Sequence, residues 1–122
     1  MLGVQPAAEV TLYNGNTTAT AVAIFDSGSI HTVFNPEYAS LIGIDDVTIG
    51  NRAVVNTLAG PRDIYLFQLE IQLREAGERF AAQVGFFAGR TPRNILGRSV
   101  VFAAFEIGFH ETAQRIHLRP EA

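Results

Sequence analysis

The sequence predicts a single, mostly β domain with one or two short helices. Three observations support this. The chain has 122 residues, its apolar residues fall into short runs rich in β-branched side chains, and Gly, Asn and Pro interrupt those runs at short intervals. The composition, 48% apolar and 17% charged, is that of a globular protein with its own core. We therefore expect one domain over residues 1–122.

Two strands joined by a tight turn are predicted first. Residues 9–13 alternate weakly between polar and apolar side chains, and residues 14–16, Asn-Gly-Asn, are a strong turn signal. The run over residues 17–25 is β-branched and apolar, so it predicts a buried strand, which the polar residues 26–29 end abruptly. Residues 31–34 return to an extended pattern.

A short helix and a second group of strands are predicted next. Asn35 is placed to cap a helix with Pro36 in its first turn, and Gly43 fits its C-terminal stop, so the helix covers residues 36–42. Further strands are predicted over residues 52–58, 64–73, 79–87 and 95–96, a helix over residues 98–105, and two closing strands over residues 106–110 and 115–118.

The charge pattern excludes nucleic-acid binding. All nine basic residues are Arg, they are scattered from Arg52 to Arg119 without forming a basic run, and the formal net charge is −3. Of these arginines, Arg62, Arg74, Arg79 and Arg115 are predicted to be solvated surface residues.

Residue types also exclude metal, cofactor and membrane functions. The chain has no Cys, which removes disulfides, thiolate catalysis and Cys-ligated metals, and its three His lack the spacing of a metal site. There is no nucleophile elbow. The first eight residues lack the features of a signal peptide, and the apolar run over residues 100–105 is too short to span a bilayer. We therefore expect no metal, no cofactor, no membrane partner and a cytoplasmic location.

Asp26 is the strongest candidate for chemistry, because it directly follows the apolar run over residues 21–25. A carboxylate at the end of a buried strand is costly unless it is hydrogen-bonded or opens onto a cleft. Gly28 permits a tight turn that brings its N–H to the carboxylate, and Ser27 and Ser29 supply hydroxyl donors. An Asx-turn between two strands is the ordinary interpretation of an isolated Asp-Ser-Gly, so the flanking residues have to decide.

The flanking residues resemble those of the retropepsins, the retroviral type of aspartic protease. Residues 23–34, AIFDSGSIHTVF, resemble the family's active-site segment, in which an apolar run precedes Asp-Thr/Ser-Gly and a Thr-apolar-apolar strand follows. Residues 91–98, TPRNILGR, resemble the segment that leads into the family's helix. Between these blocks, a hairpin around residues 57–61 lies where the family carries its flap. The resemblance covers about residues 17–118.

This resemblance implies a single-lobe closed β-barrel of the retropepsin type with a short C-terminal helix, acting as a homodimer. Hydrolysis of a peptide bond without a metal or a nucleophile needs two carboxylates that share a proton, one activating water and one polarising the carbonyl. The chain has one Asp-Ser-Gly, and Asp45, Asp46 and Asp63 lack such a context. The second carboxylate would come from a second copy across a twofold axis. The expected activity is that of an aspartic endopeptidase, with an extended polypeptide as its substrate.

The resemblance also implies roles for particular residues. Asp26 would be the catalytic acid and base, supported by Ser27, Gly28 and Ser29, with Ser27 bonding across the dimer interface. The implied substrate-binding residues are Ile30, His31, Leu58, Ala59, Gly60, Arg93 and Ile95.

Several positions depart from the family and leave alternatives open. Ile30 and His31 stand where the retroviral enzymes have acidic residues, and Pro61 stiffens the flap. Ser29 stands where those enzymes usually have Ala, and its hydroxyl either donates to the Asp26 carboxylate or only caps the turn. Arg93 replaces an apolar residue, and its guanidinium either favours acidic substrate side chains or turns into solvent. The alternative function is a non-proteolytic dimerisation or peptide-binding module of the same fold.

Overall fold

The structure is a computed structural model and describes residues 7–26, 28–57, 59–74, 77–90, 93–98, 100 and 103. Within these residues the regular elements follow in chain order: β1 (Ala7–Asn14), β2 (Thr17–Phe25), β3 (Val33–Phe34), α1 (Pro36–Leu41), a 3₁₀ turn (Val47–Ile49), β4 (Asn51–Thr57), β5 (Gly60–Leu73), β6 (Arg79–Phe87) and β7 (Asn94–Leu96).

Six of these strands close a barrel. Their order is β1-β2-β7-β3-β6-β5, and β5 pairs with β1 to complete the ring. The β1–β2 hairpin turns at Gly15, whose φ of 63° lies in the left-handed region that favours glycine. The pairs β2–β7 and β3–β6 run parallel, and the other pairs in the ring run antiparallel. The expectation of a mostly β, closed barrel is confirmed.

The main core fills the inside of this barrel. Alternate residues of each strand point inward, as the period of two requires, so Val10 and Leu12 of β1 are fully buried, as is Ile71 of β5. Phe34 and Phe86 are also fully buried, and their strands β3 and β6 run side by side. Helix α1 adds Ala39 to the same cluster, and Ile42 and Ile44 follow it.

The long strand β5 belongs to two structures at once. Its residues from Ile64 to Gln72 pair with β6 in the barrel, and its residues from Gly60 to Leu66 pair with β4. Residues 60–63 therefore pair with β4 and not with β6, so the β4–β5 hairpin extends beyond the end of β6. The sequence predicts this hairpin, but starts its second strand four residues too late, because Pro61 and charged Arg62 and Asp63 do not read as strand residues.

The predicted helix is present, but it is capped differently. It ends at Leu41, and Gly43 follows with a φ of 88° as expected for a C-terminal stop. Asn35 occupies the N-cap position without a side-chain capping bond, and its Nδ2 donates to Asn94 Oδ1 at 3.2 Å.

The 3₁₀ turn was not predicted from the sequence. Asp46 caps it, since one carboxylate oxygen accepts hydrogen bonds from Thr48 Oγ1 at 2.6 Å and Thr48 N at 3.0 Å. Both bonds stabilise the ionised form, so they lower the pKa of Asp46 below its ordinary value.

Most of the predicted C-terminal elements lie outside the described residues. Of the helix predicted over residues 98–105, the structure describes Arg98, Val100 and Ala103, each with helical backbone. The strands predicted over residues 106–110 and 115–118 fall outside the described part of the chain. Within that part, no helix has the length and apolar character needed to cross a bilayer.

Candidate active site

Asp26 lies where two parallel strands end side by side. Strand β2 pairs with β7 so that Phe25 is opposite Leu96, and the Asp26 N–H donates to the Leu96 carbonyl at 3.0 Å. Strand β2 ends at Phe25, so Asp26 is the first residue of the loop that follows. The Asp26 side chain is half-buried. Strand β2 was predicted to be buried, but only alternate residues of it are, so the sheet places a half-buried carboxylate at the end of a strand with one buried face.

The loop after β2 folds tightly around the Asp26 carboxylate. The Gly28 N–H donates to Asp26 Oδ1 at 3.0 Å, as expected from the sequence, and the Ser29 N–H donates to the Asp26 carbonyl at 3.0 Å. A Cβ atom at Gly28 would lie 3.3 Å from Asp26 Oδ1, a tighter contact than most side chains make. Glycine at this position therefore allows the backbone donor to reach the carboxylate.

Gly97 and Arg98, which belong to the second of the two segments that resemble the retropepsins, hydrogen-bond to this loop from the other side. The Arg98 N–H donates to the Ser29 carbonyl at 2.8 Å, and the Gly97 N–H donates to Thr32 Oγ1 at 2.8 Å. A Cβ atom at Gly97 would lie 2.5 Å from the His31 carbonyl oxygen, so only glycine fits against this backbone. The roles of Thr32 and Gly97 were missed from the sequence. A glycine directly after an apolar strand was the available signal for a close backbone approach.

Asn94 connects three segments behind the loop. Its Nδ2 donates to the Val22 carbonyl at 3.0 Å, and its Oδ1 accepts from the Asn35 N–H at 2.9 Å. Both asparagines are buried, so these bonds satisfy polar groups that would otherwise be costly. The result is that β7 is held at a defined position between β2 and the start of α1. Substrate-binding roles were expected for its neighbours Arg93 and Ile95, whereas no role was predicted for Asn94 itself.

Ser29 faces away from the expected partner in this structure. Its hydroxyl donates to the His31 carbonyl at 2.7 Å, so the expected hydrogen bond to the Asp26 carboxylate is not formed. A serine hydroxyl has one hydrogen to donate, and here it closes the loop over residues 29–31. The geometry therefore matches the second of the two interpretations of Ser29, in which it stabilises the turn.

We predict that Ser29→Ala lowers stability and, in the protease that the resemblance implies, leaves the pH dependence of cleavage unchanged. The lost hydrogen bond should reduce the free energy of unfolding by about 1 kcal/mol, because the His31 carbonyl loses a donor. Urea unfolding would measure the loss of stability, and kcat/KM of both proteins on one peptide across pH would measure the pH dependence. An alkaline limb that moves to higher pH in Ser29→Ala would instead indicate a hydroxyl that reaches the carboxylate.

A second, largely buried apolar cluster lies on the face of the sheet opposite the main core. Residues that pair across neighbouring strands share a face. Val33 is opposite Ile95, Phe87 is opposite Ile64, and Ile64 is also opposite Ala53. Val33, Ile64 and Phe87 form a second buried cluster against Ala53 and Val55. We call the following set the apolar wall: Ile95, Val33, Phe87, Ile64, Ala53 and Val55.

The apolar wall links the Asp26 loop to the β4–β5 hairpin. At one end, Ile95 lies in β7, the strand that pairs with β2 just before Asp26. At the other end, Ala53 and Val55 belong to the hairpin. The hairpin closes with Thr57 opposite Gly60, and Thr57 Oγ1 donates to the Gly60 carbonyl at 2.6 Å and accepts from the Ala59 N–H at 3.2 Å.

The structure brings some of the predicted site residues together. Ile30 is 61% exposed and His31 is half-buried, both on the Asp26 loop. Arg93 is exposed immediately before β7, and Ile95 belongs to the apolar wall. Ala59 and Gly60 lie at the hairpin tip. Leu58 and Ser27 lie outside the described residues, so their expected roles stay predictions.

In comparisons with known proteins, no family model and no curated protein sequence matches this chain.

Across the described ranges, no three His, Asp or Glu side chains are grouped closely enough to hold a metal ion. A surface groove elsewhere on the barrel is lined by Glu9, Thr11, Gln72 and Arg74, but its charged residues already pair, Arg74 Nη1 with Glu9 Oε1 at 2.8 Å. The Asp26 loop is therefore the candidate active site of this chain.

Proposed function

We propose that this chain is one protomer of a homodimeric aspartic endopeptidase of the retropepsin type. The observation that carries the proposal is the position of Asp26. It follows a strand with one buried face, receives the Gly28 N–H at 3.0 Å, and sits on a loop to which the N–H groups of Gly97 and Arg98 donate hydrogen bonds. Such a loop can hold a carboxylate in a fixed position against a second carboxylate.

The proposed chemistry uses one Asp26 from each protomer. Two carboxylates about 3 Å apart share one proton because both cannot ionise together. The ionised Asp26 takes a proton from water as the water oxygen attacks the scissile carbonyl carbon, and the partner subunit's Asp26 donates its proton to the carbonyl oxygen. The resulting diol collapses when a proton passes to the amide nitrogen and the C–N bond breaks. This releases a carboxylic acid and an amine and uses no metal or cofactor.

The apolar wall supports an extended peptide as the substrate. An extended chain lying between the Asp26 loop and the β4–β5 hairpin would pair through its main chain and place alternate side chains against the half-buried members of the wall, Ile95, Ala53 and Val55. Ile95 would contact such side chains directly, with Ile30 and His31 below and the hairpin tip at Leu58, Ala59 and Gly60 above. The tip would then act as a flap over the bound peptide.

The proposed dimer follows from the count of catalytic motifs. A chain with a single Asp-Ser-Gly cannot assemble the carboxylate pair alone. Ile30, 61% exposed next to the Asp26 loop, is an apolar side chain that a second protomer or a bound peptide would cover. Ser27 would bond across the interface and hold the two loops together.

A cleavage assay tests this function directly. We expect the protein to cleave a mixture of denatured proteins at acid pH, and we expect pepstatin, which carries a hydroxyl in place of the scissile carbonyl, to stop cleavage. Cleavage that resists pepstatin would contradict the aspartic mechanism. Binding of denatured protein without any cleavage would favour the peptide-binding module.

We predict that Arg93 biases cleavage toward peptides with an acidic or polar side chain near the scissile bond. Arg93 is exposed beside β7, where its guanidinium would attract a substrate carboxylate. Arg93→Val should reduce the preference for acidic residues about two- to fivefold, the range for an exposed charge pair. Cleavage-site profiling would measure this, with Arg74→Val as a control because Arg74 pairs with Glu9 on the far end of β5. Identical profiles for wild type and Arg93→Val would remove the role.

A further inference from the structure

Arg62 connects the projecting part of the β4–β5 hairpin to the barrel. It lies in residues 60–63 of β5, which pair with β4 beyond the end of β6. Since Arg62 precedes Ile64 by two residues, its side chain is on the face of β5 that carries the apolar wall. The sequence predicts a solvated surface arginine, but the residue is half-buried.

The Arg62 side chain contacts two groups on the barrel side. The guanidinium carbon lies 4.1 Å from the centroid of the Phe87 ring, and Nη2 lies 3.4 Å from the Gly89 carbonyl oxygen. The first distance is well within the range of a cation–π interaction. The second is long for a hydrogen bond and exposed, so the aromatic ring contributes the larger share of this contact.

Four other arginines of the described residues form ion pairs with carboxylates. Arg62 is next to Asp63, but Asp63 points to the other face of β5 and pairs with Arg52 across the hairpin at 3.2 Å. Arg62 thus joins the hairpin to the barrel. The four arginine–carboxylate pairs are Arg52 with Asp63, Arg74 with Glu9, Arg79 with Glu70 and Arg90 with Glu37.

We propose that Arg62 is a positioning residue that holds the β4–β5 hairpin against Phe87 and Gly89 and so sets the width of the cleft over the apolar wall. Its effect on cleavage rests on the proposed function, whereas its effect on the hairpin does not. Without the guanidinium, the projecting part of the hairpin separates from Phe87 more often. Peptide binding then weakens equally in the ground state and the transition state, which raises KM and leaves kcat nearly unchanged.

The first test measures amide hydrogen exchange over residues 51–63 in the protein without peptide. Arg62→Met keeps an unbranched apolar stem over Phe87 and removes the charge, so we expect exchange in the hairpin to be about two- to fivefold faster. Arg62→Lys retains a cation and should fall between Arg62→Met and wild type. Arg79→Met is the matched control, because the Arg79 guanidinium lies 4.3 Å from the centroid of the Tyr13 ring in the barrel. It should leave hairpin exchange unchanged.

The second test measures peptide cleavage by the same variants. We expect KM to rise about two- to fivefold in Arg62→Met with little change in kcat, and Arg62→Lys to recover part of the loss. Hairpin exchange that is equal in Arg62→Met and wild type, or equally accelerated by Arg79→Met, would overturn the proposal, as would a fall in kcat at constant KM. If wild-type protein cleaves no peptide, the proposed function fails while the exchange measurement still decides the role of Arg62.

Discussion

Asp26→Asn should abolish peptide cleavage while leaving the fold intact. The amide keeps an oxygen that can accept the Gly28 N–H, so the turn around residue 26 is preserved. It cannot take a proton from water, so we expect kcat/KM to fall by at least about 10³-fold. Circular dichroism and urea unfolding would establish that the variant is folded, and a peptide assay would measure the loss.

Asp46→Asn is a matched control for this experiment. Asp46 also accepts a backbone N–H from the residue two positions later, Thr48 at 3.0 Å, which is the same local geometry as Asp26 with Gly28. If Asp26 were only an Asx-turn residue, the two substitutions would act alike on cleavage. We expect Asp46→Asn to retain full cleavage.

Mixing the chains tests the homodimer. With a fourfold excess of Asp26→Asn chains, a wild-type chain finds a wild-type partner about one time in five, so activity per wild-type chain should fall to about one fifth. Activity per wild-type chain that is independent of added Asp26→Asn protein would contradict a site shared between two protomers. Activity that remains proportional to enzyme concentration far below the dimer dissociation constant would contradict it as well.

Gly97→Ala should be the most destabilising of the conservative substitutions considered for this chain. The added Cβ would lie 2.5 Å from the His31 carbonyl oxygen and 2.6 Å from its carbon, and these are backbone atoms that no side-chain rotation can move away. One methyl group forced into such a contact costs about 1–3 kcal/mol in the free energy of unfolding. The displaced loop carries Asp26 at its start, so cleavage should fall as well.

Gly89→Ala provides the comparison for Gly97→Ala. The nearest neighbour of its new Cβ would be Arg62 Nη2 at 3.8 Å, an ordinary contact with the end of a flexible side chain. We expect its free energy of unfolding to stay within about 0.5 kcal/mol of wild type. Urea unfolding of both variants at one protein concentration is the measurement, because the stability of the proposed dimer would depend on concentration. Equal stabilities would show that the loop and β7 are not packed as closely as described.

Much of the fold could be predicted from local patterns. The β-branched and apolar run over residues 17–25 and the run over residues 79–87 predicted strands with the observed bounds. Gly15 and Gly43 marked the turn and the helix stop, because both adopt positive φ. Such signals depend on a residue and its neighbours in the chain, which is why they are visible without a structure.

Only part of the candidate site could be predicted from such local patterns. Asp26 and Gly28 could be paired from the sequence because they are two positions apart and the turn is local. Thr32 and Gly97 meet across 65 positions, and Asn35 and Asn94 across 59, so nothing in either local sequence indicates its partner. Asn35 is the N-cap residue as predicted, but its side chain makes no capping bond, and its Nδ2 donates instead to the distant Asn94.

By itself, the sequence determined a mostly β chain, its turns, and the Asp26 turn with its Gly28 donor, because each of these follows from the conformational preferences of adjacent residues. The tertiary structure alone decided how the barrel closes, which face of β5 carries the apolar wall, and where the hydroxyl of Ser29 and the guanidinium of Arg62 point. Those outcomes depend on the register between strands far apart in the chain. A change of register by one residue would turn every side chain of a strand to the opposite face.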